Sequence, residues 1–280
     1  MNKKTFSYPS VLTIAGFDGS GGAGIQGDIK TISALGCYAT SVLTALPVQN
    51  TCGVRSIHAI PAEVVRAQLQ AILDDIFPDA IKIGMVHTTD VLEAIVNTLL
   101  HYPEVPVVFD PVMVSTSGHR LLEDSTVEAI IKKMFPLAAV ITPNLDEAAV
   151  LTGMPVHTLD DMWIAGKKLM GMGARSVLLK GGHLDATQLT SLYFTNDGKV
   201  QEYSFEKIDT QNTRGTGCAL SSAMACYIAR KKSLADAVVL AQEYVHQAIL
   251  AGKDVRTGKG NGPLNHFFNP QKLFINPEES

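Results

Sequence analysis

Val11-Leu12-Thr13-Ile14-Ala15-Gly16-Phe17-Asp18-Gly19-Ser20-Gly21-Gly22-Ala23-Gly24-Ile25-Gln26-Gly27-Asp28 is a β-branched, apolar run that passes through a glycine-rich turn into a segment of helical period. Strand, tight turn and helix in that order open a βαβ unit. The same alternation continues outward along the chain. Strands are expected at Val11 to Ala15, Ala39 to Pro47, Ile81 to Ile83, Val107 to Phe109, Val140 to Thr142, Val177 to Lys180, Leu189 to Phe194 and Gln201 to Phe205. Helices are expected at Ile25 to Leu35, Ala62 to Ile76, Asp90 to Leu100, Ser125 to Met134, Asp146 to Leu151, Asp160 to Met170, Cys218 to Arg230 and Leu234 to Ala251. This order predicts an α/β fold with a mostly parallel central sheet covered by helices on both faces. Thr195-Asn196-Asp197-Gly198 has the composition of a hairpin turn, so the sheet is expected to be mixed at that edge. No linker, low-complexity tract or repeat interrupts the pattern, and residues 1–280 read as one domain.

The 280 residues are 46% hydrophobic, enough to fill a sizeable core. A formal charge of -4, scattered along the chain, gives no reason to expect nucleic acid or an anionic membrane as partner, which leaves small ligands. No apolar run approaches the ~20 residues that span a bilayer. The start MNKKTFSYPS runs into VLTIAG without the pattern of a signal peptide, so a cytoplasmic location is expected. Cys37, Cys52, Cys218 and Cys226 have neither CxxC pairing nor metal-spaced histidines, which argues against a disulfide framework or a zinc site.

Gly19, Gly21 and Gly24 satisfy G-x-G-x-x-G between a strand and a helix, so a nicotinamide oxidoreductase has to be weighed. That fingerprint expects a carboxylate about 20 residues on to hold ribose hydroxyls, where this chain has Val48-Gln49-Asn50. Asp18 and Asp28 would also repel a pyrophosphate. The loop is therefore read as a substrate-binding loop, against the plainer reading of a turn whose glycines serve only backbone angles. Walker A occurs nowhere.

Asp209-Thr210-Gln211-Asn212-Thr213-Arg214-Gly215-Thr216-Gly217-Cys218 leads a polar, glycine-rich turn into a helix of small residues. Amides around Gly215, Thr216 and Gly217, with the positive end of the helix, suit the charge on a transferring phosphoryl group. Cys218 falls in the first helical turn, where a lowered thiol pKa would make it a general base or an anion-site donor. A small buried cysteine is the plain alternative, and for Cys37, Cys52 and Cys226 it is preferred. Pro143-Asn144-Leu145-Asp146-Glu147 reads first as a helix cap, and functionally as a place for Asn144 and Glu147 near a hydrated Mg2+ on ATP. Lys180, before Gly181-Gly182-His183, could contact nucleotide phosphates, although lysines at strand ends are usually solvated.

AGFDGSGGAGIQGD, ALPVQNTCGV, KIGMV, DPVMVSTSG, ITPNLDEAAVLTG, LLKGGH, NTRGTGCALSSA and GNGPLNH follow one another over nearly the whole chain. In these motifs it resembles the hydroxymethylpyrimidine/phosphomethylpyrimidine kinases of the ribokinase superfamily. The resemblance implies a ribokinase-like three-layer sandwich, usually a homodimer. It also implies ATP-dependent phosphorylation of 4-amino-5-hydroxymethyl-2-methylpyrimidine and then of its monophosphate, for thiamine synthesis. By matching motifs, Asp28 and Gln49 would hydrogen-bond the aminopyrimidine, Gly16 and Met85 would line its pocket, and Val112 would pack on the ring. Cys218 would stand where most sugar kinases of the superfamily have an aspartate base, with Gly215 and Gly217 in the anion hole. Asn144, Glu147, Lys180, Thr213, Arg214 and Thr216 would serve ATP and its Mg2+, and the resemblance leaves a need for K+ open. Pyridoxal kinases of the same branch share the Gly-x-Gly-Cys turn, and Gln49 is the discriminator, since its amide offers a donor and an acceptor to an aminopyrimidine edge. A pyrimidine-binding sensor without catalysis is the non-enzyme alternative. Arg214 departs from the histidine common in the family, and either grips phosphate or turns to solvent.

Overall fold

The computed structural model describes residues 6–113, 124–182 and 187–277. Its strands are β1 (Phe6–Ser7), β2 (Ser10–Ala15), β3 (Tyr38–Leu43), β4 (Ala45–Asn50), β5 (Gly53–Ala59), β6 (Ala80–Ile83), β7 (Val107–Phe109), β8 (Val140–Ile141), β9 (Val177–Lys180), β10 (Gln188–Phe194), β11 (Val200–Glu206) and β12 (Asn276–Pro277). The helices are α1 (Gly24–Ala34), α2 (Ala62–Leu73), α3 (Thr89–Leu99), α4 (Asp124–Ala129), α5 (Leu145–Thr152), α6 (Leu159–Gly171), α7 (Thr216–Ala229) and α8 (Leu234–Gly252). Residues 114–118 of the DPVMVSTSG motif and His183 of LLKGGH lie outside the described residues.

Eight strands form the main sheet in the order β11-β10-β9-β8-β7-β6-β2-β3. From β9 to β3 every pairing is parallel, while β10 runs antiparallel to both β9 and β11. The mixed edge is where the Asn-Asp-Gly turn placed it, with Gly198 at φ 82°. Both faces are covered because neighbouring residues of a strand point in opposite directions. Leu12, Ile14, Ile81, Ile83, Val177 and Leu179 pack in one cluster with residues of α2, α3, α5 and α6. Val11, Ala80, Val108 and Leu178 pack in the other with α1, α7 and α8. The result is the three-layer architecture of a doubly covered parallel sheet, with central strands buried at every position and apolar save for Ser10, Thr13 and Lys82.

The expected strand Ala39 to Pro47 is two strands. Thr44 ends β3 by donating its hydroxyl to Met85 O at 2.6 Å, and the chain then leaves the sheet as β4. Among the described residues β4 pairs only with β5, in a two-stranded hairpin that carries Pro47. Proline lacks an N–H and fits such an edge better than a sheet interior. β5 was not anticipated because Arg55, Ser56 and His58 break up its apolar pattern. The end of the expected helix Ser125 to Met134 is a π-helical segment, Ile130–Met134.

Candidate active site

The order in which the chain visits the sheet locates a crevice. β2 pairs with β3 on one side and β6 on the other, so the connections diverge between β2 and β6, and ligands of open α/β sheets bind outside the strand ends at such a point. A cavity of about 870 Å³ opens there. It is walled by Gly16 after β2, Lys82 and Met85 from β6 and its exit, Asp110 and Val112 after β7, Asn144 and Glu147 after β8, Lys180 on β9, and Thr213 to Cys218 at the start of α7. Its volume suits a small acceptor and a nucleotide together.

Of the residues expected around the acceptor, Gly16, Gln49, Met85 and Val112 line this cavity, and Asp28 does not. Asp28 lies beneath it, fully buried, and accepts from Thr13 Oγ1 at 2.6 Å, Lys82 Nζ at 2.7 Å and Ser222 Oγ at 2.9 Å. Its carboxylate touches the cavity wall through Lys82, its hydrogen-bond partner there. The glycine loop folds onto its own aspartate: Asp18 accepts from Ser20 N, Ser20 Oγ and Ala23 N. Burial pushes Asp18 up, but hydrogen bonds from Arg214 and Ser20 more than offset this and hold it below the usual carboxylate range. Gly24 opens α1 at φ 53°, and a Cβ there would strike the Gly16 carbonyl oxygen, so the turn needs glycine on both counts. Gln49 donates from Nε2 to Phe17 O at 2.8 Å. Arg214 neither turns to solvent nor stands free for phosphate: it is 5% exposed, pairs with Asp18 at 3.1 Å and donates to Gln49 Oε1 at 2.8 Å.

Gly215 precedes α7 at φ 82°, and a Cβ there would run into Gly22 O, so the glycine loop and the turn before α7 are in backbone contact. Among the described residues no side chain caps α7; the Thr216 amide turns to Thr213 O at 3.3 Å, and those of Gly217 and Cys218 are left for an anion in the cavity. Cys218 lies at this end of α7 with Lys82, Asp28 and Asp110 around it. The expected lowering of its pKa is reversed. Burial pushes the thiol up to about 11, Asp28 and Asp110 push the same way, and Lys82 pulls down without prevailing. Cys52, taken as buried, is exposed on the hairpin tip at the rim of the cavity, whereas Cys37 and Cys226 are buried.

On the other side, Asn144 and Glu147 form a reciprocal cap on α5: Asn144 Oδ1 accepts from Glu147 N, and Glu147 Oε2 accepts from Asn144 N, both at 2.8 Å. Both residues also line the cavity. Burial raises the Glu147 carboxyl to about 7, with Lys180 opposing the shift and Asp110 adding to it. Asn144→Ala should cost about 1 kcal/mol of stability by loss of the cap. If Asn144 serves only as a cap, thermal melts will register that loss while the KM for ATP stays within twofold.

Lys180 Nζ donates to Asp110 Oδ1 at 2.9 Å, and Thr142 Oγ1 donates to the same oxygen at 3.0 Å. The sequence reading missed Asp110 and Lys82. Each left a trace: a carboxylate directly after the buried run Val107 to Phe109, and a lysine between Ile81 and Ile83 on a central strand. It also missed the far wall, where Leu189, Phe205 and His246 line the cavity and the last two rings stand 5.3 Å apart.

The ribokinase-like sandwich, the crevice at the β2–β6 divergence and the uncapped helix facing a lysine define a small-molecule kinase. The phosphomethylpyrimidine kinase family model matches residues 18–265. A hydroxymethylpyrimidine/phosphomethylpyrimidine kinase of Salmonella typhimurium is 44% identical over 92% of this chain and 97% of its own. Among solved structures, a phosphomethylpyrimidine kinase from Clostridium difficile is 40% identical with a TM-score of 0.75, covering 86% of this chain and 99% of that one. A Bacillus subtilis pyridoxal kinase in complex with ADP is 35% identical with a TM-score of 0.86, covering 93% and 98%. The chain belongs to the phosphomethylpyrimidine kinase family, and it is a phosphotransferase.

Proposed function

We propose that the protein transfers the γ-phosphoryl group of ATP to the hydroxymethyl group of 4-amino-5-hydroxymethyl-2-methylpyrimidine, and then a second one to the monophosphate, supplying the pyrophosphate used in thiamine synthesis. The observation that carries this reading is the single cavity in which Gly16, Gln49, Met85 and Val112 face Asn144, Glu147 and Lys180 across Cys218 and the open end of α7. The pyrimidine lies at the β2–β6 end, with the Gln49 amide on its polar edge. ATP lies along Lys180 and the Phe205–His246 wall, with its γ-phosphate toward α7.

In the first step the acceptor oxygen forms a bond to phosphorus as the bond from phosphorus to the β-bridging oxygen breaks. The hydroxyl proton passes to the deprotonated Cys218 thiolate. Charge on the transferring group is held by the amides of Gly215, Gly217 and Cys218 and by Lys180. In the second step the acceptor is already an anion, so neutralising charge matters more than removing a proton. Asp110, Glu147 and Asn144 offer oxygen atoms beside one lysine, a donor set that fits a Mg2+ ion largely held by phosphates and water. When bound, that ion neutralises phosphate charge. K+ would add a further cation.

No helix among the described residues is long and apolar enough to cross a membrane. A cytoplasmic homodimer acting on small molecules alone is the setting we assign to the protein, and light scattering of purified protein tests the assembly. The pyridoxal kinase of Bacillus subtilis resembles this chain in shape more closely than the Clostridium difficile enzyme does, which favours pyridoxal as a second reading. A side-by-side assay of hydroxymethylpyrimidine, its monophosphate and pyridoxal with ATP, products followed by mass, decides between them. Both pyrimidines should turn over at least tenfold more efficiently in kcat/KM than pyridoxal; turnover of pyridoxal alone would replace the thiamine reading with a vitamin B6 one.

A further inference from the structure

Arg214 occupies an unusual place. Its Nε donates to Asp18 Oδ2 and to Ser20 Oγ, both at 3.1 Å, and its Nη2 lies 2.8 Å from Gln49 Oε1 and 3.1 Å from Asp18 Oδ1. The guanidinium therefore joins three segments far apart in sequence: the glycine loop, the hairpin strand β4 and the turn before α7. Its charge is met by the buried carboxylate of Asp18, and its backbone N–H is held by Gly262 O at 3.0 Å. The cation is fixed at both ends.

This has a consequence for the Gln49 amide. An amide side chain has two lone pairs on oxygen and two N–H groups on nitrogen. Here one lone pair faces the guanidinium and one N–H is given to Phe17 O. Turning the amide by 180° would set its N–H groups against the guanidinium donors and its oxygen against the Phe17 carbonyl, two repulsive contacts in place of two hydrogen bonds. One N–H and one lone pair remain for a ligand, in a known orientation. The cation on Oε1 also draws electron density from the amide, which strengthens the remaining N–H as a donor.

We infer that Arg214 is a positioning residue that determines acceptor specificity by holding the Gln49 amide in one orientation, so that it reads a ring edge carrying an acceptor nitrogen beside a donor amino group. The inference rests on the pyrimidine reading for the identity of that ring, but the coupling of Arg214 to Gln49 does not.

The test is a double-mutant cycle of Arg214→Lys with Gln49→Ala, read as KM for the pyrimidine, KM for ATP and kcat, with a thermal melt on each protein. Lysine keeps the charge beside Asp18 but cannot reach Asp18, Ser20 and Gln49 together. Arg214→Lys should raise the pyrimidine KM about tenfold or more, a loss on the scale of a hydrogen bond to a charged group. The KM for ATP and kcat should change less than threefold. In the Gln49→Ala background the same substitution should change the pyrimidine KM less than twofold, because the residue through which it acts is gone. If the lysine variant does not fold, Arg214→Gln keeps a planar N–H donor for Gln49 while Ser20 and Ala23 still serve Asp18, and the same cycle applies. Effects that multiply across the cycle, or a change confined to the KM for ATP or to kcat, would overturn the inference. If the wild-type protein turns over pyridoxal and not the pyrimidine, the substrate reading fails, and the cycle run with pyridoxal still decides whether Arg214 acts through Gln49.

Discussion

Cys218→Ala should slow phosphorylation of the hydroxymethyl acceptor ~10²- to 10⁴-fold, the span of a lost general base, while the monophosphate step falls less than tenfold. The difference follows from the acceptors: an alcohol must lose its proton as it attacks, and a phosphate oxygen at neutral pH has already lost it. The thiol's surroundings make the claim sharper. Burial pushes Cys218 up to about 11, with Lys82 as the opposing cation, so at neutral pH the thiol and not the thiolate prevails. If the thiolate takes the proton, kcat for the first step should rise about tenfold per pH unit from 7 toward 10, and Cys218→Ala should abolish that slope. The monophosphate step should show no such rise. Rapid-quench measurements with each acceptor test this, and a flat wild-type profile for the alcohol would remove Cys218 as the base and leave it as part of the anion site.

That the thiol is raised and not lowered marks where the sequence ceased to be informative. The position of Cys218 in the first turn of α7 could be read from Gly215-Thr216-Gly217, and helix N-termini do favour thiolates. The opposing groups come from elsewhere: Asp28 on α1, Asp110 after β7 and Lys82 on β6. Nothing in their spacing announces that they meet. The sheet was legible for a different reason. Val107 to Phe109 and Val177 to Leu179 are continuously apolar because both faces of each strand are covered, and that pattern survives in one dimension. β4 and β5 stand off the sheet: β4 alternates buried Ala45 and Pro47 with exposed Leu46 and Val48, but all four are apolar, so its burial period is not written in the sequence, and β5 lies largely in water. The hairpin was missed, and with it the contact by which Gln49 meets Arg214 from 165 residues away.

Lys82→Met should destabilise the protein by about 3–5 kcal/mol, because it leaves a buried carboxylate without its counter-charge. Lys82 and Asp28 are both inaccessible to solvent, 2.7 Å apart and 54 residues apart in sequence. Thr13 and Ser222 still donate to Asp28, so the carboxylate keeps two of its three side-chain hydrogen bonds and loses the third together with the cation. Asp28→Asn added to Lys82→Met should recover most of the loss, since the neutral amide needs no partner charge. Urea unfolding of the wild type, both single variants and the double variant gives the coupling directly. A Lys82→Met cost under about 1 kcal/mol, or a double variant less stable than Lys82→Met, would sink the idea. The pH dependence has a definite sign. Burial alone would lower Lys82, but Asp28, Cys218 and Asp110 outweigh it and raise its pKa. The stabilisation is therefore complete below the ordinary lysine value of about 10.5 and is lost only as pH climbs above it. Lys82 also ties stability to chemistry. It pulls the Cys218 thiol down by more than Asp28 pushes it up, so the double variant, stable again, should still show its alcohol-step pH profile displaced to higher pH than the wild type, by less than Lys82→Met alone. Restored stability without a restored profile would separate the two roles of this one cation, the support of Asp28 and the tuning of the thiol above it.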